Sequence, residues 1–223
     1  MSRMQQIDAA AIETYGIPRL LLMEHAGLAV ANAVSSLSRG CLTSMGSGST
    51  LLVCCGSGYN GGDGLCAARH LHAWGYAPRV VLTGRLEQLR EEPLIYARIV
   101  QCLGIPLMEC AGPEDLASAE RWVESCALSI DAMLGIGVRG VVREPTASLI
   151  ECLNRSGKPI VAADIPSGLD GDTGLPQGRA VHATVTVTFG LPKQGCFTGQ
   201  GPAHVGTLIV DSITMPRTLL ESP

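Results

Sequence analysis

Leu51-Leu52-Val53-Cys54-Cys55-Gly56-Ser57-Gly58-Tyr59-Asn60-Gly61-Gly62-Asp63-Gly64-Leu65 is the stretch on which the fold turns. Its first five residues are apolar and β-compatible, its middle is broken by glycines, and Leu65, Ala68 and Leu71 resume at helical spacing. That order reads as strand, tight loop and helix. Glycine permits a sharp turn and a close backbone approach, and the start of the following helix presents unpaired N–H groups to whatever lies there. One stretch thus predicts both a fold type and a binding site.

Two nucleotide motifs fail on it. Gly56, Gly58 and Gly61 satisfy G-x-G-x-x-G, but the full dinucleotide fingerprint needs an acid about 20 residues on, at the end of the second strand. Here that strand ends Val80-Val81-Leu82-Thr83-Gly84. A phosphate loop needs lysine where Asp63 stands. The loop offers oxygen instead, from the Asn60 amide and the Asp63 carboxylate, which suit a hard cation or sugar hydroxyls. Capping by Asp63 and a left-handed turn at Asn60 account for the same residues equally well.

Working outward, the spacing predicts a helix over Met4 to Tyr15, stopped by Gly16, and a second from Pro18 to about Leu37. Ala26, Gly27, Ala29, Ala31 and Ala33 in the second suit close packing on a sheet or helix. A Ser/Gly-rich surface loop is expected over 35–50. Strands are predicted at 50–55, 78–83, 105–110, 127–131, 159–163, 182–189 and 207–211, with helices near 63–74, 92–103, 114–125 and 146–156. This alternation implies an α/β/α three-layer sandwich around a mostly parallel sheet. The last two strands have only the 190–206 loop between them, so that edge is expected to depart from strict alternation. No linker divides the chain, and residues 1–223 are read as a single domain.

The chain has 223 residues, 46% of them hydrophobic, and a net charge of −4. The charge and its scatter argue against nucleic acid or an anionic membrane as main partner. No apolar run is read as approaching the roughly 20 residues of a membrane span. The N-terminal segment lacks a secretory pattern, so a cytoplasmic location is the expectation. Nine cysteines, without C-x-x-C and with no metal-ligand spacing to histidine noted, read as reduced core residues.

In open parallel sheets, ligands bind beyond the carboxyl ends of the strands. Three such ends carry an acid or amide: Asn60 with Asp63, then Asp131, then Asp164. Gly135, Gly137 and Gly140 form a second glycine loop able to cradle an anion, with Arg139 or Arg143 beside it. Converging carboxylates can divide acid and base roles, or one can hold a cation while the other reacts. Asp170 to Gly174 fails the calcium-loop pattern, and Ser167 lacks the flanking glycines of a nucleophile elbow. Lys193 follows the sixth strand on the same edge; a solvated loop lysine is the commoner reading.

Asn60-Gly61-Gly62-Asp63-Gly64, Asp131-Ala132-Met133-Leu134-Gly135 and Asp164-Ile165-Pro166-Ser167-Gly168-Leu169-Asp170, each after a strand, together resemble the NAD(P)H-hydrate epimerases, also called the YjeF N-terminal domain. Leu22-Met23-Glu24-His25-Ala26-Gly27 and Val187-Thr188-Phe189-Gly190-Leu191-Pro192-Lys193 extend the likeness over nearly the whole chain. The resemblance implies a Rossmann-like domain, often dimeric, that interconverts the R and S forms of hydrated NADH and NADPH. A separate S-specific dehydratase then restores the cofactor. It implies a potassium ion on Asn60, Asp131 and Ser167. It implies substrate contacts at Tyr59, Asn60, Gly61, Gly62 and Asp63, at Gly135, Ile136, Gly137, Val138, Arg139, Gly140 and Val141, and at Asp164, which is chosen as the acid/base group. Tyr59 and His25 stand where the family usually has asparagine, and Ile136 where threonine is common. A non-enzymatic binding module of the same fold is the competing class.

Overall fold

The computed structural model of the chain describes residues 3–39, 48–137 and 140–221. Of the loop expected over 35–50, residues 40–47 lie outside these, and 35–39 are instead the end of the second helix. Two N-terminal helices, α1 (Arg3–Glu13) and α2 (Arg19–Arg39), precede β1 (Thr50–Cys55). There follow α3 (Tyr59–Ala73), β2 (Ala77–Leu82), α4 (Glu91–Cys102), β3 (Leu107–Glu109), α5 (Pro113–Ser125), β4 (Leu128–Ala132), α6 (Thr146–Arg155), β5 (Ile160–Ala163) and β6 (Val185–Phe189). A short helix α7 (Gly201–His204), β7 (Thr207–Asp211) and a last turn α8 (Arg217–Leu220) complete the described chain.

The seven strands form one sheet in the order β3-β2-β1-β4-β5-β6-β7, and every neighbouring pair is parallel. The far edge is therefore parallel as well, and the departure from strict alternation falls one strand earlier, where no helix among the described residues separates β5 from β6. A 3₁₀ turn at Gln194–Cys196 and α7 carry the crossover from β6 to β7. Strand residues alternate between two cores. Leu51, Val53 and Cys55 face the helices α1 to α4, while Leu52 and Cys54 face α5 and α6. Burial on both faces is why these strands are continuous apolar runs.

α2 is, by length and composition, apolar enough to cross a membrane over 19–37, contrary to the sequence expectation. Half of that stretch is buried inside the molecule. Its small residues allow a tight approach to α3: a Cβ on Gly27 would lie 2.5 Å from the Cys66 sulfur. Eight cysteines are described, all unpaired, and all but Cys102 are buried.

Candidate active site

β1 and β4 are adjacent, but the chain leaves them in opposite directions, toward β2 and toward β5. Such a switch point opens a crevice at the carboxyl ends of the strands. A cavity of about 680 Å³ lies there, a size that suits a small ligand.

The turn out of β1 is the first wall. A Cβ on Gly56 would stand 1.9 Å from the Met133 carbonyl oxygen, and one on Gly61 would stand 1.8 Å from the Gly56 carbonyl oxygen. With these contacts only glycine fits, and the helix starts directly against the strand end. α3 accordingly begins at Tyr59, earlier than the predicted 63, with Gly58 as N-cap and no side-chain cap. Asn60 to Asp63 are thus the first helical turn, not a loop, and Asp63 caps nothing.

Asn60, Asp131 and Ser167 meet around the backbone of Leu134. Asn60 Nδ2 donates to the Leu134 carbonyl at 3.1 Å, and the Leu134 amide donates to Ser167 Oγ at 2.8 Å. Asp131 is fully buried and accepts from Ser167 Oγ at 2.5 Å, from the Ser167 amide at 2.7 Å and from the Met133 amide at 3.3 Å. Burial outweighs these bonds and pushes its carboxyl up to about 6. Asn60 Oδ1 is buried and has no hydrogen-bond partner. A buried orphan amide oxygen beside a carboxylate and a hydroxyl is an all-oxygen donor set, and it fits a hard cation such as potassium.

Nearer the cavity, Asp164 adopts φ +65, a left-handed conformation that aspartate tolerates better than most residues. Its amide donates to the Val187 carbonyl at 2.7 Å, anchoring the turn to β6. Its Oδ1 accepts from the Phe189 amide at 3.2 Å and from Thr188 Oγ1 at 3.4 Å, and it pairs with Lys193 Nζ. Lys193 also donates to the Phe189 carbonyl at 2.9 Å and is only 8% exposed, so the solvated-lysine reading is corrected. Asp8 of α1 and Asp63 of α3 line the same cavity. Burial and the repulsion of Asp164 and Asp8 hold the Asp63 carboxyl well above the ordinary range. Burial raises Asp8 to about 6, opposed by Lys193 and aided by Asp164.

The rim is formed by Tyr59 with Arg19 and Glu91. Arg19 donates to the Tyr59 hydroxyl at 2.9 Å and lies 4.6 Å over its ring, while that hydroxyl donates to Glu91.

Of the site residues expected from sequence, Tyr59, Asn60, Asp63, Gly135, Ile136, Gly137 and Asp164 line the cavity. Gly61 and Gly62 lie behind the wall; Gly62 packs toward Met23 and Pro93. Gly140 and Val141 do not reach it, and Val141 is 74% exposed. Val138 and Arg139 lie outside the described residues. Asp8 was missed, although a signal existed: it stands four residues after buried Met4 and three before buried Ala11, on the helix's inward face.

An all-parallel doubly wound sheet with acids, an amide and a lysine gathered at its switch point defines a Rossmann-like small-molecule site. The chain belongs to the family described as the YjeF-related protein N-terminus, whose pattern it matches over residues 19–195. It is 42% identical over 206 residues to the bifunctional NAD(P)H-hydrate repair enzyme Nnr of Pyrobaculum aerophilum, covering 92% of this chain and 39% of that protein. It is 37% identical over 209 residues to the NAD(P)H-hydrate epimerase of Limosilactobacillus fermentum, covering 94% and 93%. The crystal structure of yeast YNL200c superposes with a TM-score of 0.81 at 28% identity, covering 96% of this chain and 88% of that one. The chain therefore spans about two fifths of the length of the bifunctional relative and nearly all of the epimerase.

Proposed function

We propose that this domain epimerises hydrated NADH and NADPH, interconverting their R and S forms for a dehydratase that takes one of them. The names of its relatives support the substrate class. The observation that carries the chemistry is the Asp164–Lys193 pair on the cavity wall, a base and an acid within contact of one another.

Hydration leaves a hydroxyl on C6 of the nicotinamide ring, next to N1. Asp164 accepts the hydroxyl proton and C6–O becomes a carbonyl. The C6–N1 bond breaks with its electron pair going to N1, which takes a proton from Lys193. The open aldehyde turns about its C5–C6 bond. N1 then attacks the other face, its proton returns to Lys193, and the oxygen recovers its proton from Asp164. No atom is gained or lost, and both residues end as they began. Acid/base assistance of this kind is worth about 10²–10⁴-fold.

The potassium position is part of the same proposal. Asn60, Asp131 and Ser167 would hold the ion, which would offset the buried Asp131 charge and tie the three loops together.

The test mixes R and S hydrates with an excess of an S-specific dehydratase and follows consumption of the R form. Wild-type protein should accelerate it. Asp164→Asn should remove about 10²-fold or more of that acceleration. Asparagine also tolerates the left-handed backbone, so the fold should survive. Undiminished turnover in the variant would rule out the role given to Asp164.

A further inference from the structure

Away from the cavity, the crossing of α2 and α3 holds a second set of polar side chains. Cys66 and His70 stand four residues apart on α3 and share a face, and Glu24 of α2 reaches over to both. Glu24 Oε1 lies 2.9 Å from His70 Nε2, and Glu24 Oε2 lies 3.4 Å from Cys66 Sγ. One carboxylate oxygen, the sulfur and the ring nitrogen all lie within 4.8 Å of one another. Tyr96 donates to Glu24 Oε2 at 2.7 Å and fixes the carboxylate. The Arg69 guanidinium bonds Glu24 Oε1 and sits 2.9 Å from His70 Nε2.

We propose that Glu24, Cys66 and His70 form a zinc site between α2 and α3, for which the Arg69 guanidinium is the competing cation. The carboxylate oxygen and the imidazole nitrogen both face one positively charged donor, which is the arrangement a metal ion also satisfies. Zinc bonds thiolate, imidazole and carboxylate at about 2.0–2.3 Å in a tetrahedron, which sets ligand atoms roughly 3.3–3.7 Å apart. The observed separations, 2.9 Å from Glu24 Oε1 to His70 Nε2 and 3.4 Å from Glu24 Oε2 to Cys66 Sγ, belong to the two carboxylate oxygens, and rotation of the Glu24 carboxylate with side-chain adjustment brings one oxygen toward both other ligands. Thiolate and imidazole select zinc over magnesium, calcium or potassium. Three protein ligands leave the fourth position to water.

Binding exchanges one cation for another. The Cys66 S–H bond breaks and its proton goes to solvent, the Zn–S bond forms, and Arg69, 27% exposed at its side chain, turns outward. Thiolate and carboxylate together balance the zinc charge. C-x-x-x-H was overlooked in the sequence because its third ligand lies 42 residues away, on another helix. The two helices also carry cavity residues, among them Met23, Ala26, Asn60 and Asp63, so zinc would pin two walls together. The inference is independent of the epimerase reading.

The experiment titrates the EDTA-treated 223-residue chain with Co²⁺ and then displaces it with Zn²⁺. A single equivalent of Co²⁺ should produce a thiolate-to-cobalt charge-transfer band and tetrahedral d–d absorption, both lost on adding Zn²⁺. Zn²⁺ should raise the melting temperature. Cys66→Ser should keep the fold and lose the charge-transfer band, and His70→Gln should bind about tenfold or more weakly. Arg69→Ala should bind about tenfold or more tightly, since the competing cation is gone, an effect that a purely structural hydrogen-bond network does not predict. No band in the wild type, a band that persists in Cys66→Ser, or Arg69→Ala binding no tighter than wild type would each overturn the proposal.

Discussion

At the scale of single residues, the proposed mechanism gives Lys193 two functions that can be separated. Its ammonium pairs with Asp164 on the cavity wall, and in the proposal it is also the proton source. Lys193→Met should lower kcat for hydrate epimerisation by about 10²–10⁴-fold. KM should change little, because Asp164 keeps its bonds from Phe189 and Thr188. A rise in KM with kcat intact would make the lysine a binding residue only. Asp8 gives a stability prediction. Its carboxyl rises from an ordinary 3.8 to about 6 through burial, so the folded chain holds this proton more tightly than the unfolded one. Stability from this group is therefore full below the lower value, declines through the interval, and above about 6 the ionised form is a penalty. Asp8→Asn should stabilise the fold at pH ~7 by ~1–2 kcal/mol, with no gain at pH ~4, as measured by urea unfolding in potassium-free buffer. An equal gain at both pH values would contradict the assignment. The strand-end acids were legible because glycines mark them; Lys193 was not, since nothing local to its loop shows that it turns inward to Asp164.

At the scale of elements, α3 carries the greatest consequence. Its predicted start was late because Asn60-Gly61-Gly62-Asp63 has poor intrinsic helix propensity, and the competing term is tertiary. Gly61 packs on the Gly56 carbonyl and Gly62 on Met23, so the segment is helical through contact, not preference. Gly61→Ala should cost about 3 kcal/mol, since its methyl would need the space of the Gly56 carbonyl, and its loss of activity should exceed what lost stability explains. Comparing urea midpoints with turnover at a temperature where the variant is folded would check this; normal turnover there would mean that the turn can shift without harm. β3 was predicted at 105–110 and spans Leu107–Glu109; its start falls after Pro106, which has no N–H for the ladder.

At the scale of the molecule, the alternating pattern was enough for the layers and most strands, because strands covered on both faces must be apolar throughout. The order of the strands and the parallel β7 edge were not in the pattern, since short crossovers such as α7 leave no periodic trace. Cavity closure was not legible either, because α1 and its Asp8 lie far along the chain from the strand ends they face. Four carboxylates, Asp8, Glu13, Asp63 and Asp164, line that cavity with the Lys193 ammonium and the Arg19 guanidinium. A neutral nicotinamide ring that displaces water there makes it harder still for the acids to stay ionised, so binding should draw protons from the medium. Calorimetric enthalpies measured near pH ~6, where Asp8 titrates, should then increase with the ionisation heat of the buffer, from phosphate-like to amine buffers. The domain would take up its ligand and a fraction of a proton together, and the slope of heat against buffer would report the charge state of the cavity directly.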